Sequence, residues 1–353
     1  MKRALCLMLT VALCFAGVVS AGSERIVTNK VGPVISDGGA GDAPAMTRAE
    51  RRAARKATRQ LKRAMRKGQP AGVAGEGDPE TLAMMHAIND QLAAAGMGLA
   101  VEQIEFFTIG GGRPSNRIHQ QPFRWVAGDP RRFAMGDDIT YMVDGSEGAT
   151  ASGVSAAATE AAIDSAMATW DGERCLKKVN IIKIADDGAD HDIFDSFFPP
   201  FPPFPPMNAE FFADIVNAGW LPRAFFGFVT GAPDGVLAFS VTFIFGTFTP
   251  GGFVPSDING DNYLDTALNE VYYNDTFGTP GEPRAGSPWG INIALPGIDV
   301  ETVGLHENGH SLELGHFGPP PAAVMNPVYA GPRQSPFPID HAGMCAVWGG
   351  WPK

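Results

Sequence analysis

The stretch from Glu301 to Phe317 reads ETVGLHENGHSLELGHF and contains a metal-binding pattern. His306 and His310 are four residues apart, so a helix places both imidazoles on one face, about one turn apart. Glu307 lies beside them, where its carboxylate can polarise a metal-bound water instead of binding the metal. His316 supplies a third nitrogen once the chain has turned after the helix. Three neutral imidazoles with a fourth position open are the catalytic arrangement of zinc, because structural zinc sites close all four positions.

A methionine turn follows the third histidine. The sequence VMNPVY occupies residues 324–329, with a proline two residues and a tyrosine four residues after Met325. The three histidines and this turn together resemble the motifs of the metzincins, and among them those of matrixins of the secreted bacterial type. The resemblance is closest over residues 301–349, extends less closely over about 137–300, and is absent before that.

This resemblance implies a role for each residue of the two motifs. The histidines would bind zinc, and the glutamate would act as general base and later pass the proton to the leaving amine. The methionine would form an apolar floor under the metal, and the three residues from the proline onward would form the wall of the substrate pocket. The expected site residues are His306, His310 and His316 for zinc, Glu307 for catalysis, Met325 for the floor, and Pro327, Val328 and Tyr329 for the pocket.

The fold that the resemblance implies is α+β, a metzincin-like zinc protease domain preceded by a small leader region. It would contain a twisted, mostly parallel sheet with an edge strand, an active-site helix ending near Glu313, and a C-terminal subdomain with the Met-turn. A peptide substrate would lie extended along the exposed edge strand, within residues 235–245.

Glu313 departs from the family pattern, which has a glycine at this position. That glycine lets the chain turn with a positive φ, and a glutamate in the same conformation costs on the order of 1 kcal/mol. Either Gly315 or a local adjustment takes the turn and the site survives, or the third ligand is misplaced.

Local patterns predict the regular elements around the motif. A proline at a first helical position, apolar residues at helical spacing and a terminal glycine indicate helices, and β-branched runs indicate strands. We expect helices from Pro79 to before Gly96 and from Ala156 to Trp170, and strands at Leu99–Ile109, Ile139–Val143, Val179–Ala185, Gly235–Phe245 and Asn269–Asn274.

The first 21 residues predict export. Lys2 and Arg3 precede an apolar run that ends in the small-residue cleavage pattern Val19-Ser20-Ala21. A membrane anchor is the alternative, but about 16 apolar residues fall short of the roughly 20 that span a bilayer. We therefore expect a secreted protein, extracellular or periplasmic, that is not membrane-bound after cleavage. The predicted organisation is a signal peptide at 1–21, a leader or propeptide at 22–120 and the zinc protease domain at 121–353.

The charge of the chain is unevenly distributed. The formal net charge is −11, yet residues 48–67 contain ten Lys or Arg and one acid in an Ala-rich sequence that favours a helix. The acidic charge of the rest of the chain argues against nucleic acid as a partner. We expect a monomer that acts on proteins or peptides. Three roles are open for the basic helix. It is a solvated linker, an inhibitory leader that docks on the acidic domain, or a segment that binds an anionic surface. No cysteine lies between Cys14 and Cys175, which excludes latency through a leader cysteine on the zinc.

Two cysteines remain after signal cleavage, because Cys6 and Cys14 leave with the signal peptide. In an oxidising compartment Cys175 and Cys345 form a disulfide, or they stay as two buried thiols.

Calcium is the second ion that the sequence suggests. Asp257, Asn259, Asp261 and Asp265 follow the alternating oxygen pattern of a calcium loop, but Leu268 stands where a full EF-hand has glutamate. A solvated, Asx-rich turn is the alternative. A second acidic run is a weaker candidate, formed by Asp186, Asp187, Asp190, His191 and Asp192.

The function that follows is a secreted zinc endopeptidase that hydrolyses peptide bonds with a zinc-bound water activated by glutamate. The alternative is a catalytically impaired binding or surface-matrix protein on the same fold, in which Glu313 blocks turnover. In that alternative, the Phe-Pro segment at residues 197–206 would serve for docking; otherwise it is an insertion that packs on its own domain.

Overall fold

A computed structural model describes residues 79–109, 121–176, 178–195, 213–317 and 320–351. The predicted signal peptide, the basic segment 48–67 and the Phe-Pro segment 197–206 lie outside the described residues. The described part confirms an α+β protein with five α-helices and a mixed sheet of eight strands. None of its helices has the length and apolar character needed to cross a bilayer.

The helices and strands alternate along much of the chain. The helices are α1 Pro79–Ala94, α2 Ala156–Asp171, α3 Arg223–Thr230, α4 Val300–Ser311 and α5 Pro338–Trp348. The strands are β1 Leu99–Thr108, β2 Phe123–Arg124, β3 Ile139–Val143, β4 Ile181–Lys183, β5 Ile215–Leu221, β6 Val236–Thr249, β7 Gly252–Pro255, β8 Leu264–Asn274, β9 Trp289–Gly290 and β10 Ile298–Asp299.

The central sheet has the strand order β1-β6-β8-β5-β3-β4. Strands β4, β3, β5 and β8 run parallel to their neighbours, whereas β6 is antiparallel to β8 and β1 is antiparallel to β6. Two short strands extend the sheet, since β2 pairs with β8 and β7 pairs with β6. The predicted parallel region is present, and the antiparallel pairs form one side of the sheet.

Most predicted elements are close to the observed ones. The helix at Ala156 and the strand at Ile139 begin where the patterns indicate, whereas β4 is shorter than predicted and β6 continues to Thr249. The motif helix α4 ends at Ser311, two residues before the predicted end.

Both faces of the sheet are covered by apolar packing. Val271 and Tyr273 of β8 face a core that includes α2, α4 and α5, while Tyr272 faces a second core with α1 and α3. All residues of β8 are buried, as expected for a strand that is covered on both faces. The structure also joins Cys175 to Cys345 in a disulfide, which links the short 3-10 segment after α2 to helix α5.

Strand β1 is part of the main sheet, although the sequence suggested that it belongs to a separate leader region. It pairs with β6 from Leu99, opposite Phe245, to Thr108, opposite Val236. Every residue of β1 is buried. The edge of β6 is therefore covered, and the expectation of an exposed edge within residues 235–245 is wrong for this state of the chain. The pairing joins segments more than a hundred residues apart, which local sequence patterns cannot reveal.

Candidate metal centre

Helix α4 carries the first two histidines and the glutamate of the motif. Asp299 caps its start, because Asp299 Oδ2 accepts hydrogen bonds from Thr302 N at 3.0 Å and Thr302 Oγ1 at 2.6 Å. The middle of the helix packs on α2, where the Trp170 indole N–H donates to Leu305 O at 2.8 Å. The cap and this packing hold the helix rigidly under the sheet.

The turn after α4 brings the third histidine back to the other two. Glu313 adopts a φ of 70°, the conformation that the family's glycine position requires. Glu313 N donates to His310 O at 2.7 Å, and Leu314 N donates to Gly309 O at 2.9 Å. These two bonds form a Schellman motif, which closes the helix and reverses the chain.

The Glu313 side chain has its own buried partners. Its carboxylate accepts hydrogen bonds from the backbone N–H of Trp125 and from Thr266 Oγ1. Burial raises the pKa of Glu313 to about 8, against the opposing effect of Arg124. The carboxylate thus anchors the segment around β2 to the helix end, and this contact offsets the strain of a positive φ.

The three imidazoles converge through their Nε2 atoms. The distances are 3.1 Å from His306 to His310, 3.1 Å from His306 to His316, and 3.2 Å from His310 to His316. A tetrahedral zinc ion with Zn–N bonds of about 2.0–2.1 Å separates its nitrogen ligands by about 3.3 Å. All three rings are buried, with at most 4% of each residue exposed. The third ligand is therefore not misplaced by Glu313.

Backbone carbonyls orient two of the rings. His306 Nδ1 donates to Val324 O and His310 Nδ1 donates to Leu314 O, each at 2.7 Å. With Nδ1 protonated, each neutral ring directs an Nε2 lone pair at the common centre. Burial, followed by the neighbouring imidazole of His310, holds the pKa of His306 well below its usual value. Closely spaced lone pairs repel one another, so the arrangement fits a bound cation such as zinc.

Glu307 lies fully buried beside the first histidine. Neither of its carboxylate oxygens has a hydrogen-bond partner among the described residues. Burial, and secondarily the charge of Glu105, raises the pKa of Glu307 well above its usual value. A carboxylate held in this way readily accepts a proton, which is the property that a general base requires.

The methionine turn packs directly beneath α4. A Cβ atom at Gly309 would overlap Met325 Sδ, so a glycine is needed there for the methionine to approach the helix. Asp340 at the start of α5 holds the turn, because its Oδ2 accepts from Val324 N at 2.8 Å and its Oδ1 from Met325 N at 3.2 Å. The methionine therefore packs against the helix between His306 and His310, at Gly309.

Strand β1 passes between β6 and the predicted pocket wall. Thr108 N and Oγ1 both donate to Pro327 O, at 3.2 and 3.0 Å, and Tyr329 N donates to Thr108 O at 2.8 Å. Thr108 also forms a parallel bridge with Val328. At Thr108, its last residue, the strand is thus hydrogen-bonded on both sides, antiparallel to β6 and parallel to the wall.

Two β1 side chains reach the histidines. The Phe107 ring stacks on the His306 imidazole with centroids 3.8 Å apart, and its edge meets the Tyr329 ring at 6.0 Å. The Glu105 carboxylate contacts the His310 imidazole. Sequence analysis missed both residues, because an acidic residue and an aromatic residue in a strand far from the motif carry no signal of their own.

The predicted calcium loop uses its oxygens within the protein. Asp257 accepts from the backbone N–H of Asp261 and of Asn262, each at 3.0 Å, and Asp265 forms an ion pair with Arg131 at 2.7 Å. Asn259 Oδ1 also accepts from Asp261 N, at 3.1 Å. Within the described residues, ligand groups converge at the histidines and in a cluster of Asp144, Asp190 and Asp192, and the loop is in neither group.

No protein-family model matches the chain, and a search of curated proteins also finds no match.

Proposed function

We propose that the chain is a secreted zinc-dependent endopeptidase, and that its described form is latent. The convergence of three imidazole Nε2 atoms beside an unpaired, buried glutamate carries the proposal. The resemblance of the two motifs to those of the matrixins supports it. The wider metzincin-like fold is part of the same proposal.

The reaction assigns one task to each group. Zinc bound by His306, His310 and His316 would polarise the scissile carbonyl and lower the pKa of a water molecule. Glu307 would take a proton from the water that attacks the carbonyl carbon and deliver it to the amine nitrogen as the C–N bond breaks. The Nδ1 hydrogen bonds to Val324 and Leu314 keep two ligand rings in place throughout.

The substrate would bind where β1 now lies. The β6 edge and the carbonyl and N–H groups of residues 327–329 already bind an extended segment of the chain through backbone hydrogen bonds. Such bonds make few demands on sequence, and the position of the Phe107 ring against His306 and Tyr329 supports a pocket that would accept an aromatic side chain. A peptide would therefore align with β6 in the direction of β1.

Latency follows from this occupancy. A peptide cannot pair with β6 or reach the histidines while β1 occupies the same positions. The basic segment at 48–67 need not dock on the domain for inhibition, because β1 alone fills the cleft. Activation requires that β1 leave the cleft.

The test uses a chain in which a recognition sequence for a specific protease replaces residues 110–120; the chain is cut, and the N-terminal fragment that carries β1 is separated from it before assay. The cut wild type should digest a denatured protein mixture. Glu307→Gln should retain one zinc per chain and lose turnover, since a glutamine cannot accept the proton. Glu301→Gln, on the partly exposed first turn of the same helix, is the matched control and should retain activity.

Equal digestion by wild type and Glu307→Gln would refute the mechanism. If wild type and Glu307→Gln both bind zinc and both remain inactive after β1 has dissociated, the result would instead favour the binding or surface-matrix alternative.

A further inference from the structure

A second group of ligand atoms lies away from the histidines. Asp144 directly follows β3, while Asp190 and Asp192 lie on the segment that follows β4. One carboxylate oxygen from each lies within 4.8 Å of those of the other two. Asp144 is 1% exposed and Asp192 is 2% exposed. Three carboxylates at this spacing repel one another strongly unless a cation or protons neutralise them.

The two buried aspartates have oxygens that no described N–H group contacts. Asp144 Oδ2 has no hydrogen-bond partner among the described residues, and the Asp192 carboxylate contacts a second acidic group, Asp195, instead of an N–H donor. Asp144 uses its Oδ1 to accept from Ser146 N at 2.6 Å. A buried carboxylate oxygen with no donor is costly, and oxygens left in this way are what a hard cation requires.

Further acidic groups surround the cluster. Glu147 lies close to Asp144 and Asp190, and its burial raises its pKa to about 8. Burial likewise raises the pKa of Asp192 well above its usual value, with Asp195 as the next cause. Several arginine and lysine side chains form ion pairs with carboxylates outside this cluster. These pairs are Arg131 with Asp129 and Asp265, Arg132 with Asp214, Lys183 with Glu160 and Asp164, and Arg223 with Asp234 and Glu282.

A buried glutamate fixes the backbone of the segment that carries Asp190 and Asp192. Glu270 on β8 accepts hydrogen bonds from Ile193 N at 2.7 Å and Phe194 N at 3.0 Å. Tyr272 OH donates to the same carboxylate at 3.0 Å. Glu270 thus acts as a positioning residue, because these bonds anchor the backbone next to Asp192.

We infer that Asp144, Asp190 and Asp192 bind a calcium ion that ties the end of β3 to the segment after β4. Oxygen-only ligands from two separate segments suit calcium, which accepts irregular geometry, whereas magnesium demands a near-octahedral site and keeps its water. Ile193 and Phe194 pack in the core with α1 and α3, opposite the core that contains α4. The ion would therefore stabilise the fold and take no part in the zinc chemistry.

The test measures calcium binding by the full chain in zinc-containing buffer that has been stripped of calcium. Isothermal titration with calcium chloride, and separately with magnesium chloride, is combined with thermal unfolding. Wild type should bind calcium and unfold at a higher temperature with about 1 mM calcium than without it. Asp192→Asn and Asp144→Asn should each weaken calcium binding by about tenfold or more, since each removes a charged ligand.

Two matched variants separate this site from other acidic positions. Asp187→Asn changes an exposed carboxylate of the same segment, and Asp261→Asn changes the predicted loop at 257–265. Both should bind calcium as wild type does. Without calcium, Asp192→Asn should be at least as stable as wild type, because it removes one of the repelling charges.

Three results would overturn the inference. The first is a wild type whose unfolding temperature does not respond to calcium, which would mean that protons neutralise the cluster. The second is undiminished binding by both Asp192→Asn and Asp144→Asn. The third is binding lost only in Asp261→Asn, which would place the ion in the 257–265 loop.

Discussion

Replacing Phe107 by alanine should release strand β1 from the cleft. Phe107 is 2% exposed, and its ring stacks on His306 at 3.8 Å between centroids. Removing a buried phenylalanine side chain from a protein core costs about 3–5 kcal/mol. Because β6 remains paired with β8 when β1 leaves, we expect the cost to fall mainly on the docking of β1.

The size of the effect follows from this energy. Each 1.4 kcal/mol changes an equilibrium constant by about tenfold, so the open fraction of the cleft should rise by about 150- to 5000-fold. Hydrogen exchange should then accelerate at the β6 amides that pair with β1 and much less at those that pair with β8. The same full-length variant should cleave a peptide substrate that the wild type leaves intact.

Ile215→Ala is the control for general loss of stability. Ile215 is fully buried in the same core as Phe107 but lies on β5, which β8 and β6 separate from β1. This variant should lower the unfolding temperature without opening the cleft. If both variants accelerate exchange across the whole sheet to the same degree, β1 is an ordinary core strand and the explanation of latency fails.

Three further predictions concern stability. Asp340→Asn should lower the free energy of unfolding by about 1–3 kcal/mol and weaken zinc retention, because an amide nitrogen cannot accept the backbone hydrogen bonds that hold Met325. Urea unfolding measures the first effect, and the zinc content of the purified protein measures the second. Replacing Cys175 and Cys345 together by alanine should lower the free energy of unfolding by about 2–4 kcal/mol in urea, since the disulfide closes a long loop. Burial raises the pKa of Glu313 to about 8 from a usual value near 4.5, so the folded state retains a proton that the unfolded chain has lost. Its stabilising contribution should therefore decline as the pH rises from about 4.5 to 8, and Glu313→Gln should flatten this part of the unfolding profile; an unchanged profile would contradict the assignment.

The sequence was most informative where the geometry is local. A helix alone places His306, Glu307 and His310 on neighbouring positions, so their spacing was enough to predict two metal ligands and a base. The proline and glycine signals likewise located the ends of α1, and an apolar run located β3. Each of these features depends only on residues within one helix or one strand and the positions next to it.

Glu313 shows where local reasoning stops. The sequence left open whether Glu313 or Gly315 takes the turn after the helix, and in the structure Glu313 has the positive φ. The contacts that compensate come from Trp125 and Thr266, which lie 188 and 47 residues away in the chain. No spacing rule connects these positions, so the sequence left the outcome open.

Helix geometry and residue chemistry were enough to predict the main helices and strands, and to place His306, Glu307 and His310 together on one helix. The pairing of β1 with β6 and the contact between Asp144 and Asp192 are visible only in the folded chain, because both depend on pairing between distant segments. Such pairing is selected by the packing of whole faces, as in the Phe107 ring on His306, and packing of that kind exists only once the chain has folded.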